Sequence, residues 1–279
     1  MLRIKLSLLT LIISACATVS NSDVILLDSK PINAKSEKIV ENQLNETPVD
    51  IWERIRRELT IKIPNDQIAA TSIYRERLYK NQSAVNRISK SGQRYLFHTL
   101  SRAQELDLPV ELALLPFVES EFDPYAKSVD GATGIWQFMP ATGKEWGLKS
   151  NWWYDGKKDV LASTEAALKF LSYLHQKFDE DWLLAMAAYN TGPTRVNRAI
   201  KKNKTQDKGI RFWDLDLPKE TTAYVPKLLV LCELINNPKS FEVNLPSIAN
   251  RPYFQRVKIP GQLDLMQAAD LAGLKPETI

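Results

Sequence analysis

Cysteine and histidine are each present only twice in this 279-residue chain, and they form no cluster. That leaves no case for a zinc or other transition-metal site. Glycine is also scarce, at 10 residues. Neither a glycine-rich phosphate loop nor a Gly-x-Ser-x-Gly elbow is present, and no cofactor is expected. No apolar run approaches the roughly 20 residues of a spanning helix. Charge of one sign is lacking too. The net +4 is small for the length, Arg3 and Lys5 contribute to it, and no basic run is dense enough to imply a nucleic-acid partner. No internal repeat or low-complexity tract appears.

What is present begins with a leader. Met1 to Lys5 is a short cationic stretch and Leu6 to Ile13 a short apolar one, the layout of a signal peptide over residues 1–15. The run Ile13-Ser14-Ala15-Cys16 looks like a bacterial lipobox, with cleavage before Cys16 and acylation of that cysteine. Ala17, where an aspartate would hold the product at the inner membrane, implies a lipid anchor in the outer membrane facing the periplasm. Cys232 is then the only thiol left, and it falls in an apolar helix as a small core residue. Residues 16–48 are mostly Ser, Asn, Lys, Asp and Glu without an apolar period, and read as a flexible tether. Such a tether has an r.m.s. span of about 30 Å and reaches about 100 Å when stretched.

From Asp50 the pattern is helical. Ile51, Ile55 and Leu59 recur at four-residue spacing, Pro64 interrupts, and Ile68, Tyr74, Leu78, Tyr95, Leu96 and Leu100 carry the pattern on. Two or three helices are expected over residues 49–107, packing on a catalytic domain at 108–238. Asp107 reads as an N-cap, with Pro109 in the first turn of the next helix and Pro116 kinking it. Further helices are expected over Asp159 to Phe178 and over Trp182 to Ile200, the latter broken around Asn190 to Pro193. Another runs from Thr221 to just before Asn236. In a C-terminal extension over 239–279, Val257 to Ile259 reads as a short strand and Leu263 to Leu271 as a helix ended by Gly273. Trp152 and Trp153 can stack on sugars, but the expectation is that they clamp their loop to the core. The fold class is mainly α.

One segment, Leu112 to Trp146, organises the rest. In a regular helix Leu112, Leu115 and Phe122 lie within roughly 60° of Glu119. A carboxyl among hydrocarbon is hard to ionise, and its pKa rises toward what a general acid needs. Glu121 shares the opposite face with Leu114 and Phe117, so periodicity does not choose between the two acids. Asp123, before Pro124, reads as a turn residue. Gly131 and Gly134 serve either turn chemistry or close approach of a ligand.

The choice between the acids comes from a resemblance. Glu119-Ser120, Phe122-Asp123-Pro124, Ser128, Gly131 to Gln137 and Met139 to Gly143 occur in order. They are followed by Ala188-Tyr189-Asn190-Thr191-Gly192 and Glu220 to Pro226. Together these motifs resemble the soluble lytic transglycosylase family of peptidoglycan-cleaving enzymes, and the resemblance extends upstream through Ile51 to Arg56. It implies an α+β lysozyme-like fold, a peptidoglycan substrate and Glu119 as catalytic residue. It also implies Ser128, Gln137, Met139, Tyr189, Asn190, Glu220 and Tyr224 as substrate-binding residues, with the hydroxyls of Tyr189 and Tyr224 orienting Glu119 or the substrate's acetamido group. Family members often carry LysM repeats downstream. None is complete here, and the last segment reads as truncated.

Most glycosidases need two carboxylates, and the motifs offer only Glu119 in a suitable position. A single acid that later acts as base fits the family's non-hydrolytic cleavage. A muramidase on the same fold and a non-catalytic glycan-binding lipoprotein are the competing readings.

Overall fold

The computed structural model describes residues 50–259 and 261–276. The leader, Cys16 and the tether lie outside these residues. Two units are distinguished, one from Asn42 to Phe254 and one that includes Gln255–Ile279.

In the first unit ten α-helices follow one another: α1 Ile51–Arg56, α2 Ile68–Leu78, α3 Gln82–Gly92, α4 Leu96–Glu105, α5 Leu115–Glu119, α6 Pro140–Glu145, α7 Val160–Lys177, α8 Trp182–Thr191, α9 Pro193–Thr205 and α10 Lys219–Asn236. Sheet structure among the described residues is limited to isolated bridges, so the mainly helical expectation holds there. The second unit contains α11, Leu265–Ala272, closed by Gly273 in the left-handed conformation as expected. Val257 to Ile259 form no strand. Both apolar side chains there are exposed, and without a neighbouring strand their backbone groups have no ladder to join.

Helix α10 is the hub of the first unit. Most of its residues from Thr221 to Ile235 are buried, and it packs against α1, α2, α5 and α8. Trp52, Ile55, Leu100, Leu112, Ala187 and Leu228 are all completely buried in one continuous core. Glu111 ties the chain around this core. Its buried Oε1 accepts from the backbone N–H of Thr60 at 2.5 Å and of Ile61 at 2.6 Å. The start signals of α7 and α8 are local and legible. Asp159 Oδ1 accepts from Leu161 N and Ala162 N, and Asp181 Oδ1 from Leu183 N and Leu184 N. Gly192, with φ of 91°, separates α8 from α9, and Pro193 starts the latter.

Three expectations are corrected. Asp107 does not cap the following helix. It sits at φ 53° and donates its N–H to Gln104 O, closing α4, a conformation that Asp tolerates better than most residues. Pro116 does not kink a long helix either. Residues Val110–Leu114 form a 3-10 turn, and Pro116 lies in the first turn of the five-residue α5, where its missing N–H leaves no bond unmade. Trp152 and Trp153 do not clamp their loop to the core, because they are 85% and 90% exposed. The loop is closed by its own polar groups instead, described below.

Candidate active site

The helix carrying Glu119 stops at Glu119. Ser120 N and Phe122 N both donate to Pro116 O, and Glu121 and Phe122 follow in the left-handed region at φ 51° and 61°. This reversal selects between the two acids. Phe122 turns into the core, edge-on to Phe117 at 4.6 Å, while Glu121 faces solvent and pairs with Arg87 at 3.3 Å. The Leu112, Leu115 and Phe122 stripe is therefore not one helical face, and the burial of Glu119 comes from packing between elements. Asp123 accepts from Tyr125 N at 2.8 Å, the turn role expected of it.

Glu119 lines a cleft of about 670 Å³ together with Ser128, Gln137, Met139, Tyr189, Asn190, Glu220 and Tyr224. Every residue the motifs nominate for binding is thus brought to one cavity, from α5, the 128–139 loop, α8 and α10. Tyr224, buried in α10, donates its hydroxyl to Glu119 Oε1 at 2.6 Å. Burial pushes the Glu119 carboxyl up to about 7 from an ordinary 4.5. The hydrogen bond from Tyr224 opposes that rise, and the negative charge of Glu220 adds to it. Burial, and next the Glu119 charge, hold both the Tyr189 and Tyr224 phenols well above their usual range.

The second tyrosine behaves differently from what the motif implied. The Tyr189 hydroxyl donates to the backbone carbonyl of Trp136 at 2.8 Å, not to Glu119. Its ring lies 5.5 Å from Phe170 and 6.1 Å from Phe138. Trp136 is itself fixed by its indole N–H on Thr164 Oγ1 at 2.9 Å. Gln137, at φ 47°, donates Nε2 to Gly134 O at 2.8 Å and Ala126 O at 3.3 Å, which leaves its Oε1 for a ligand. Ser128 is exposed, and its hydroxyl accepts from Ala132 N at 3.0 Å. Met139 precedes α6 and is 41% exposed. Glu220 is exposed in the first turn of α10. Gly134 answers the turn-or-ligand question for itself. At φ 84° its added Cβ would lie 1.9 Å from Lys157 O, so the close approach is to protein backbone.

Two positioning residues were not singled out from sequence. Thr221, buried in α10, donates to Asn190 Oδ1 at 2.8 Å, which leaves the Asn190 amide N–H groups for the cleft. Ser120 donates to Ile135 O at 3.1 Å and ties the end of α5 to the 131–137 turn. Both occur inside the quoted motifs, but their role depends on partners distant in sequence. The cleft also contains Asp130.

The transglycosylase SLT domain family model matches residues 98–212. Membrane-bound lytic murein transglycosylase D of Escherichia coli (strain K12) is 41% identical over 226 residues, covering 81% of this chain and 49% of the relative. The chain thus spans about half the length of that relative. A putative tributyltin chloride resistance protein of Alteromonas sp. (strain M-1) is 38% identical over 164 residues, covering 59% of this chain and 77% of that protein. Among solved structures, the 70 kDa soluble lytic transglycosylase of Escherichia coli superimposes with a TM-score of 0.42 at 22% identity, over 51% of this chain and 24% of that one. The chain belongs to the transglycosylase SLT-domain family. Within that family it is similar to the membrane-bound lytic murein transglycosylase D proteins.

Proposed function

We propose that this chain is a lytic murein transglycosylase that cleaves the bond between N-acetylmuramic acid and N-acetylglucosamine without water. The observation that carries the reading is the Glu119–Tyr224 pair in a polar cleft, where burial raises the carboxyl's pKa to about 7. Family membership and the names of the relatives support it.

The protonated Glu119 gives its proton to the glycosidic oxygen as the bond to C1 breaks. The substrate's own 2-acetamido carbonyl oxygen closes on C1, giving an oxazolinium species. Glu119, now ionised, takes the proton of the muramyl C6 hydroxyl, whose oxygen attacks C1 and reopens the oxazolinium ring. The product is a 1,6-anhydromuramyl end, and Glu119 finishes protonated, ready for another cycle. Tyr224 holds the carboxyl in position in both protonation states, and its neutral phenol stabilises the ionised one. Asn190 through its amide N–H groups, and Gln137 through Oε1, supply the donors and acceptor that acetamido and hydroxyl groups require.

A muramidase reading draws its second carboxylate from Glu220 or Asp130, both on the cleft. Mass spectrometry of muropeptides released from purified peptidoglycan separates the two. Anhydro products, lighter than hydrolytic ones by one water and absent with Glu119→Gln, support the transglycosylase. Reducing-end products support the muramidase, and retained wild-type cleavage by Glu119→Gln would falsify both.

The wider organisation belongs to the same proposal. The catalytic domain is assigned to residues 108–238 on a lysozyme-like fold, with the helices of 49–107 as its extension. Acylation of Cys16 holds the enzyme on the outer membrane facing the periplasm, and the 16–48 tether gives it reach to the glycan. The lipobox residues support the anchor, as does the membrane-bound description of the relatives.

A further inference from the structure

The loop between α6 and α7 carries two tryptophans in solvent, which is an unfavourable place for the largest apolar side chains. Trp152 and Trp153 are 85% and 90% exposed, with ring centroids 5.9 Å apart and planes at 88°. The loop that bears them is built, not slack. Asn151 Oδ1 accepts from the N–H of Trp153 and of Tyr154, each at 2.8 Å, and Asn151 N donates to Tyr154 O at 2.7 Å. At its base the nearly buried Lys157 ammonium donates to Asp155 Oδ1 at 2.7 Å and to Ser150 Oγ at 3.3 Å. Ser150 in turn donates to Asp155 at 2.9 Å. The polar network closes the loop without help from either indole.

The seat of this loop is the wall of the cleft. Lys157 O lies over Gly134 so closely that a Cβ there would be 1.9 Å away, and the Lys157 stem packs on Gly143. Gly134 belongs to the turn that presents Gln137, and Gly143 belongs to α6, whose Thr142 lines the cleft. The base of the tryptophan loop and one wall of the cleft thus pack on each other through Lys157.

We infer that Trp152 and Trp153 form a second contact for the glycan strand outside the catalytic cleft, each indole stacking on the apolar face of a sugar ring. This rests on the glycan substrate proposed above and extends it to a site the motifs do not include. Size and surroundings favour a sugar over a protein partner. Two indoles offer at most on the order of 500 Å², short of the roughly 800 Å² per partner of a stable protein interface. Their neighbours Lys149, Ser150 and Asn151 are exposed polar residues, suited to the hydroxyl and amide edges of a stacked sugar. Because the loop is already ordered, stacking requires little further loss of conformational freedom.

The test compares the full chain carrying Cys16→Ser, with and without Trp152→Ala/Trp153→Ala. Three readouts are used: pelleting with insoluble peptidoglycan sacculi, cleavage of a short soluble tetrasaccharide of the glycan repeat, and flotation with phosphatidylethanolamine–phosphatidylglycerol vesicles. The expected result is a Kd for sacculi raised about tenfold, the scale of two ring contacts. Tetrasaccharide cleavage and thermal midpoint stay unchanged, and the Trp152→Phe/Trp153→Phe pair restores most of the binding. Equal pelleting of parent and alanine variant overturns the inference, whether or not product is released. Tryptophan-dependent flotation with unchanged pelleting also overturns it, in favour of a lipid surface. Pelleting without release of anhydro product by the parent counts against the proposed reaction and leaves this contact standing.

Discussion

The hydroxyl of Tyr224 donates to Glu119 Oε1 at 2.6 Å across 105 residues of sequence. It is the one hydrogen bond that opposes the effect of burial on this carboxyl. Removing it with Tyr224→Phe leaves the ionised carboxylate less stabilised, so the Glu119 pKa rises further. The expected result is a kcat about tenfold lower, from loss of a charge-assisted bond worth about 1.5 kcal/mol. The alkaline limb of the pH–rate profile moves to higher pH. A profile of kcat/KM from pH 5 to 9 for both proteins checks it, and an unmoved limb refutes the pairing.

The same carboxyl links stability to pH. Its folded pKa of about 7 lies above the ordinary 4.5, so between these values the folded state binds more protons than the unfolded one. Stability from this group is fully present below pH 4.5 and is lost as pH rises through about 7. Glu119→Gln removes the charge while keeping an acceptor for Tyr224. The variant is expected to be more stable than the parent at pH 8, on the order of 3 kcal/mol, and to lose that advantage at pH 4. Urea unfolding at the two pH values is the measurement.

Thr221 holds Asn190 from the neighbouring helix at 2.8 Å. Thr221→Val is close in volume but cannot donate, so Asn190 loses its orientation. KM for a short glycan is expected to rise several-fold with little change in kcat, and stability to fall by about 1 kcal/mol. A fall confined to kcat, with KM unchanged, would assign Thr221 a different role. Thr221→Ser, which retains the hydroxyl, is expected to restore KM.

Gly134 combines a φ of 84° with the overlying Lys157 carbonyl. Gly134→Ala has no low-energy accommodation, since the obstacle is backbone rather than a mobile side chain. A loss of about 3 kcal/mol or more is expected, read as a drop in thermal midpoint by circular dichroism. Gly131→Ala, with open space around its Cβ, serves as the comparison. It carries only the strain of positive φ and is expected to lose about 1 kcal/mol.

What sequence alone determined are the features set by near neighbours. The Asp159 and Asp181 caps, the break at Gly192-Pro193 and the stop at Gly273 depend on residues within a few positions of each other. So does the helical periodicity that yields the core. Every residue the motifs nominated for binding lies in the cleft, because each motif travels as a short contiguous block. Tertiary structure decided the rest. Helical periodicity leaves Glu119 and Glu121 equivalent; the motif resemblance picks Glu119, and the left-handed turn after it supplies the physical separation. Tyr189 and Tyr224 offer the same phenol, yet one reaches Trp136 O and the other Glu119. Trp152 and Trp153 are expected to clamp their loop to the core, and a polar network around Lys157 closes the loop without them and leaves them in solvent. For the two tyrosines the deciding partner lies far off in sequence and depends on how elements pack, whereas the turn after Glu119 and the tryptophan loop are set by short-range hydrogen bonds that helical periodicity does not encode.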